Sequence, residues 1–295
     1  MRAKPQSPIS IKQTILCTFF LLLLLFIIWT TSSNSKPNNT SPLKTTTITS
    51  NPPCPSLPPT PPSCTKTPPS LATALVHYAT TNVTPQQTLK EISVTMRVLE
   101  KKNKNKENSP CNFLVFGLGH DSLMWASLNL GGRTVFLEED KSWIDQITSV
   151  IPGLEAYHVS YDTKVSRANE IIERVKSQEP CKVVGDPRFS TCELAHKGFP
   201  PEVYDVEWDL IMVDAPTGYH EKAPGRMTAI YTAGLMARNR ESGETDVFVH
   251  DVDRTVEDKF SMEFLCEGYL VEQEGRLRHF NIPSHRTNPG RPFCP

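Results

Sequence analysis

From residue 113 to the C-terminus, short runs of bulky apolar residues alternate with longer stretches whose apolar residues recur every three or four positions. The short runs predict strands buried on both faces, at 113–116, 135–137, 154–159, 209–213 and 246–249. The longer stretches predict amphipathic helices at 121–130, 141–151, 164–177, 227–240 and about 256–266. In the first of these, Leu123, Met124, Ser127 and Leu130 carry the helical spacing, and Gly131 and Gly132 stop it. Two final runs, 269–273 and 277–282, hinge on Glu274 and Gly275 and predict a closing hairpin. Upstream, 71–102 reads as helical. Thr84 is placed as N-cap with Pro85 in the first turn and Gln87 reaching back, and Leu89, Ile92, Met96 and Leu99 form one stripe for packing on the domain edge. The charge run KKNKNKEN at 101–108 reads as a solvated loop.

Residues 1–70 follow neither pattern. Residues 1–14 are short and basic, with Arg2, Lys4 and Lys12, and 15–31 are almost wholly apolar, at the lower limit for spanning a bilayer. A cleaved signal peptide also has a short core. Here the run ends at Trp29, an interface residue, and no A-x-A-like site follows, so an uncleaved transmembrane signal-anchor is expected. Positive charge on its N-terminal side puts that end in the cytoplasm and the remainder in a lumen. Residues 32–70 are rich in Pro, Ser and Thr and cannot bury a core, which predicts an extended stem ahead of a folded domain at 71–295. Asn38, Asn39 and Asn82 each begin an N-x-Ser/Thr sequon, in keeping with a lumen.

Charge narrows the function classes. Lys and Arg number 31 against 32 Asp and Glu, and a net charge of −1 argues against a nucleic-acid binder. The eight cysteines include no C-x-x-C pair, hence no zinc-ligand spacing. In an oxidising lumen Cys181–Cys192 and Cys266–Cys294 are reasonable disulfides, with Cys111 left as a buried thiol. Cys54 and Cys64 are open to pairing with each other, pairing between chains, or no pairing.

The chemistry concentrates in 113–140. Gly117 and Gly119 follow the first strand at once, where a backbone without side chains can approach a ligand. About twenty residues on, Glu138, Glu139 and Asp140 end the second strand, where a carboxylate can accept from ribose hydroxyls. A dinucleotide site would have a third glycine where Ser122 stands. Its absence suits S-adenosylmethionine (SAM), which has no pyrophosphate to seat. In open α/β sheets ligands lie beyond the carboxyl ends of the strands. Glu138, Asp162, Asp214, His250, Asp251 and Asp253 all fall there. The expectation is an α/β, Rossmann-like, seven-stranded SAM-dependent methyltransferase fold with an N-terminal transmembrane anchor.

The segments FGLGHDSLMW, GGRTVFLEED, YDVEWDLIMVDAPTGYHEKAPGRM and FVHDVDR, the tail IPSHR…GRPFCP and the anchor-plus-stem layout resemble plant glucuronoxylan 4-O-methyltransferases, from about Thr84 to the C-terminus. That resemblance implies a single-pass type II Golgi membrane enzyme with a luminal catalytic domain, working beside xylan-synthesising enzymes. It would move a methyl group from SAM to the 4-hydroxyl of glucuronic acid on glucuronoxylan. The alternatives are a sister branch acting on arabinogalactan glucuronic acid, and a non-catalytic Golgi scaffold for xylan synthesis. Under this reading Gly117, Gly119, His120, Asp121 and Asp162 bind the cofactor, with Glu138 on the ribose and Glu139 as its alternative. Asp214 and His250 are the catalytic candidates. Asp214, Asp251 and Asp253 are the candidate ligands of a divalent cation, which would lower the hydroxyl's pKa. The uronate needs a cation, and His220, Lys222 and Arg226 in the loop after Asp214 are the candidates, with Arg286 and Arg291 as weaker ones.

Overall fold

The computed structural model describes Val76, Tyr78 and residues 86–105, 110–150 and 153–295. The expected anchor, stem and sequons, together with Thr84 and Pro85, lie outside the described residues. Among those described, no helix is long and apolar enough to cross a membrane.

The chain runs α1 (Leu89–Asn105), β1 (Asn112–Phe116), α2 (Ser122–Leu128), β2 (Arg133–Glu138), α3 (Lys141–Val150), β3 (Glu155–His158) and α4 (Ala168–Val175). It continues with α5 (Pro201–Tyr204), β4 (Leu210–Val213), α6 (Met227–Asn239), β5 (Glu244–Val249), α7 (Thr255–Ser261), β6 (Leu270–Glu274) and β7 (Leu277–Pro283). The strands form one seven-stranded sheet in the order β3-β2-β1-β4-β5-β7-β6. All neighbours are parallel except the closing hairpin, where β7 runs antiparallel to both β5 and β6. This is the seven-stranded architecture the alternation predicts.

Alternation along the strands builds two cores. Leu114, Phe116, Ile211, Val213, Val247 and Val249 face one side, packed with residues of α4, α6 and α7. Phe113, Val115, Leu210, Met212 and Phe248 face the other, against α1, α2 and α3. Register then sets the site. Phe116 pairs with Leu137 and with Val213, and Val213 pairs with Val249. The next residue of each strand, Gly117, Glu138, Asp214 and His250, therefore begins a single row at the carboxyl edge.

Three local expectations are corrected. Helix α1 starts at Leu89 and is capped by a reciprocal pair: Thr88 Oγ1 accepts from the Glu91 N–H at 3.3 Å, and Glu91 Oε2 accepts from the Thr88 N–H at 2.6 Å. Gln87 is thus freed from capping, and Leu89 is exposed. Helix α2 buries Met124, Trp125 and Leu128, while Leu123 and Leu130 are exposed. The bulk of Trp125 outweighs the leucine spacing as the inward anchor. Lys101–Asn105 continue α1, because Lys102 Nζ pairs with the buried Asp246 at 2.9 Å. Cys181–Cys192 and Cys266–Cys294 are disulfides as expected, and Cys111 is buried outside both.

Candidate active site

A cavity of about 690 Å³ opens beyond the carboxyl ends of β1, β2, β4 and β5. Its volume is that of a typical small-molecule pocket. One wall comes from the β1 and β2 turns, the other from β4, β5, β7 and the start of α1.

The first wall is acidic. Gly117 has φ +118°, a conformation that side chains rarely adopt, and a Cβ there would stand 3.3 Å from Ala215 Cβ. Its N–H donates to Leu137 O at 2.7 Å. Glu138 is buried and accepts three main-chain N–H groups, from Leu118 at 3.0 Å and from Glu139 and Asp140 at 2.9 Å each. Burial outweighs these bonds and holds its pKa above the usual carboxylate range. Asp121 Oδ2 accepts from Trp125 Nε1 at 2.9 Å, and its pKa is also raised, by burial first and by the charge of Asp214 second. Trp143 stands over this wall, with Nε1 donating to Leu118 O at 2.6 Å and its ring edge-on to His120. Glu139 is drawn sideways, accepting from the N–H and hydroxyl of Thr217. Asp140 caps α3 through Ser142 and Trp143.

The second wall is a charge network. Asp214 Oδ1 lies 3.0 Å from His250 Nδ1 and 3.3 Å from Arg226, and Oδ2 accepts from Gln87 Nε2 at 3.2 Å. Burial would raise Asp214, but the His250 hydrogen bond, the neighbouring positive charge and Gln87 more than offset it, and its pKa falls below the usual value. His250 is fully buried, and its Nε2, without a hydrogen-bond partner among the described residues, faces Glu91 Oε2 at 3.9 Å. Arg226 is 3% exposed and sits among Asp214, Asp251 at 3.0 Å and Glu257 at 3.6 Å. It also donates to the carbonyls of Pro216 and His250. Asp251 has φ +62° and meets two further arginines, Arg254 at 2.9 Å and Arg276 at 2.5 Å.

The structure sorts the expected residues. Gly117, Gly119, His120, Asp121, Glu138, Glu139, Asp214, Arg226 and Asp251 line the cavity. Asp162, His220 and Lys222 are exposed and do not, and Tyr219 takes the lining place instead. Arg226, expected as a cation for the uronate, lines the cavity as a buried clamp whose fork is occupied by the protein's own carboxylates. His250 is corrected from a cavity base to a group behind Asp214. Asp214, His250 and Asp251 bring one donor atom each to within 4.8 Å of one another, a donor set for a divalent cation. Asp253 is exposed and outside that set. A cation there would compete with guanidinium groups for Asp251. Arg286 pairs with Glu241 in the tail, and neither it nor Arg291 lines the cavity.

Sequence reasoning missed Gln87, Glu91, Arg254 and Arg276. Gln87 and Glu91 stand four residues apart at the start of an amphipathic helix, which is a signal for one shared face. Arg254 and Arg276 carry none beyond proximity to Asp251 and to the hairpin turn.

The IRX15/IRX15L/GXM family pattern matches residues 90–280. The chain is 66% identical over 243 residues to glucuronoxylan 4-O-methyltransferase 2 of Arabidopsis thaliana, covering 82% of this chain and 80% of that one. It is 67% identical over 237 residues to glucuronoxylan 4-O-methyltransferase 3 of the same plant, covering 80% and 77%. Arabinogalactan O-methyltransferase 2, also from Arabidopsis thaliana, is 51% identical over 228 residues, covering 75% and 76%. Motifs, sheet and cavity thus converge with these likenesses, and the chain belongs to the IRX15/IRX15L/GXM family.

Proposed function

We propose that this chain is a SAM-dependent O-methyltransferase that methylates the 4-oxygen of glucuronic acid side chains on glucuronoxylan. The observation that carries the reading is Asp214. It stands at the junction of an acidic glycine-turn wall and an arginine wall, in a chain about two-thirds identical to enzymes named for this reaction.

SAM, when bound, supplies a methyl group activated by a sulfonium, which leaves as a neutral thioether when the hydroxyl oxygen takes the methyl. The residues present fit it. The turn at Gly117 and Gly119 exposes main chain to the cavity, Glu138 would accept from the ribose hydroxyls, and the acidic wall suits a cationic ligand. Asp214 is held ionised, oriented by His250 and Gln87, and receives the hydroxyl proton as the O–CH₃ bond forms. His250 keeps the carboxylate's orientation from behind. A divalent cation on Asp214, His250 and Asp251 is the alternative arrangement within the proposal: it would replace the His250 and arginine contacts and polarise the hydroxyl. Chelation should lower turnover and spare SAM affinity. Unchanged turnover in chelator would assign these residues to their arginine and histidine partners alone.

The wider expectation is a Golgi membrane protein with its catalytic domain in the lumen, beside xylan-synthesising enzymes. The apolar run 15–31 and the Pro/Ser/Thr-rich 32–70 support it. Protease protection of the domain in sealed Golgi vesicles, and a mobility shift on deglycosylation, test it. A fully accessible, unglycosylated domain would overturn it. The reaction itself is tested with purified protein, labelled SAM, and glucuronoxylan or arabinogalactan. Label on xylan glucuronic acid supports the reading, and label on arabinogalactan alone moves the chain to the sister substrate.

A further inference from the structure

We infer that Arg254 and Arg276 together grip the carboxylate of the uronic acid and thereby choose which hydroxyl reaches Asp214. The inference rests on the proposed acceptor, a glucuronic acid.

A uronate carboxylate calls for a planar, bidentate cation. The loop cations Lys222 and His220 lie outside the cavity, and Arg226 is buried among three carboxylates. Arg254 and Arg276 line the cavity, with side chains 30% and 39% exposed. The acids behind them are sealed: Asp251 is 4% exposed, Glu91 1% and Glu257 0%. On this wall, then, the arginine side chains are the open groups, whereas Asp251 lines the cavity almost sealed beneath them and Glu91 and Glu257 do not line it.

Both arginines are held in place. Arg254 bonds Asp251 and, at 3.3 Å, the Thr217 carbonyl, and Arg276 bonds Asp251 and, at 2.5 Å, the Gln86 carbonyl. Asp251 serves both from a left-handed backbone conformation, which a non-glycine residue adopts at some cost in strain. A guanidinium has five N–H donors, so these anchors leave others for a ligand. Glu91 accepts the Arg276 main-chain N–H at 2.6 Å, which ties the hairpin turn to α1 and fixes where Arg276 emerges.

Chemistry then links grip to outcome. In glucuronic acid the carboxyl carbon is attached to C5, and the 4-hydroxyl is on the adjacent ring carbon. Asp214 and Asp251 share His250 Nδ1, at 3.0 and 3.6 Å. A carboxylate held by the arginines around Asp251 therefore brings the neighbouring hydroxyl to Asp214 and turns the 2- and 3-hydroxyls away.

The test compares wild type, Arg254→Gln, Arg276→Gln and the double variant on glucuronoxylan and on the same polymer with its uronic carboxyls reduced. SAM affinity, measured for each protein, reports a folded cavity independently of transfer. Wild type should prefer the uronate polymer. Each single variant should lose about 10- to 100-fold in kcat/KM on it, mainly through KM, as for the loss of one charged hydrogen-bonding partner. The double variant should discriminate between the polymers by less than about threefold, and Arg→Lys should recover part of the loss. Variants that bind SAM and keep the wild-type preference would overturn the inference. So would a wild type that methylates both polymers equally. A wild type that methylates neither would instead remove the acceptor reading on which the inference stands.

Discussion

The two walls of the cavity are built in opposite ways. The acidic wall is local: Gly117, Asp121 and Glu138 come from one β-α-β stretch, and Glu138 is locked by main-chain N–H groups of its own turns. The arginine wall is assembled at long range. Gln87 precedes α1 and Glu91 lies in its first turn, Asp214 and Arg226 flank the loop after β4, Asp251 and Arg254 follow β5, and Arg276 sits on the last hairpin. In the proposed reading the local wall serves the cofactor and the assembled wall serves the acceptor. A fold can keep the first while changing the second, which fits a family that holds relatives named for different polysaccharides.

The sharpest break between the walls is at Asp214. Asp214→Asn should cut turnover by about 100- to 10,000-fold, the range for a general base, with SAM affinity within about threefold of wild type. Equal turnover in a kinetic assay would reduce Asp214 to a structural role. Arg226→Ala should cost about 3–5 kcal/mol of stability in denaturant unfolding, because it removes a buried cation shared by Asp214, Asp251 and Glu257 and takes from Glu257 its ion-pair partner. A loss below about 1 kcal/mol would make Arg226 a spare surface-like cation. Gly117→Val should weaken SAM at least about tenfold by calorimetry while the far-ultraviolet dichroism is kept, since the site needs φ +118° and open space beside Ala215.

The smallest effect concerns pH. Glu138 and Asp121 are raised by burial, so as pH falls they lose charge sooner than an ordinary carboxylate does. Asp214 is lowered and keeps its charge further down. SAM affinity should therefore begin to decline at a pH above the ordinary carboxylate range, and Glu138→Gln should flatten that decline. A SAM affinity that is flat with pH until ordinary carboxylates titrate would contradict the acidic-wall assignment.

The same contrast explains what was legible in the sequence. Sheet, hairpin and glycine turn are written in contiguous patterns, and so were readable in advance. Asp214 was legible because strand ends are where an open sheet places ligands. The fate of Arg226 was not, since its burial depends on three carboxylates from three separate segments. His250 looked like an accessible base from its strand-end position, but the parity of β5 turns it toward α1 and Glu91, behind Asp214. Arg254 and Arg276 were hidden for the same reason, their shared partner being Asp251. The α2 face departs from the leucine spacing because Trp125 brings more apolar bulk to the inward side than Leu123 or Leu130.

The most direct measurement is methyl transfer from labelled SAM to glucuronoxylan by the purified protein, with the labelled position mapped on the released sugar. The account predicts label on the 4-oxygen of glucuronic acid. Label on another oxygen of that sugar, or SAM binding with no transfer to a uronic acid, would contradict it.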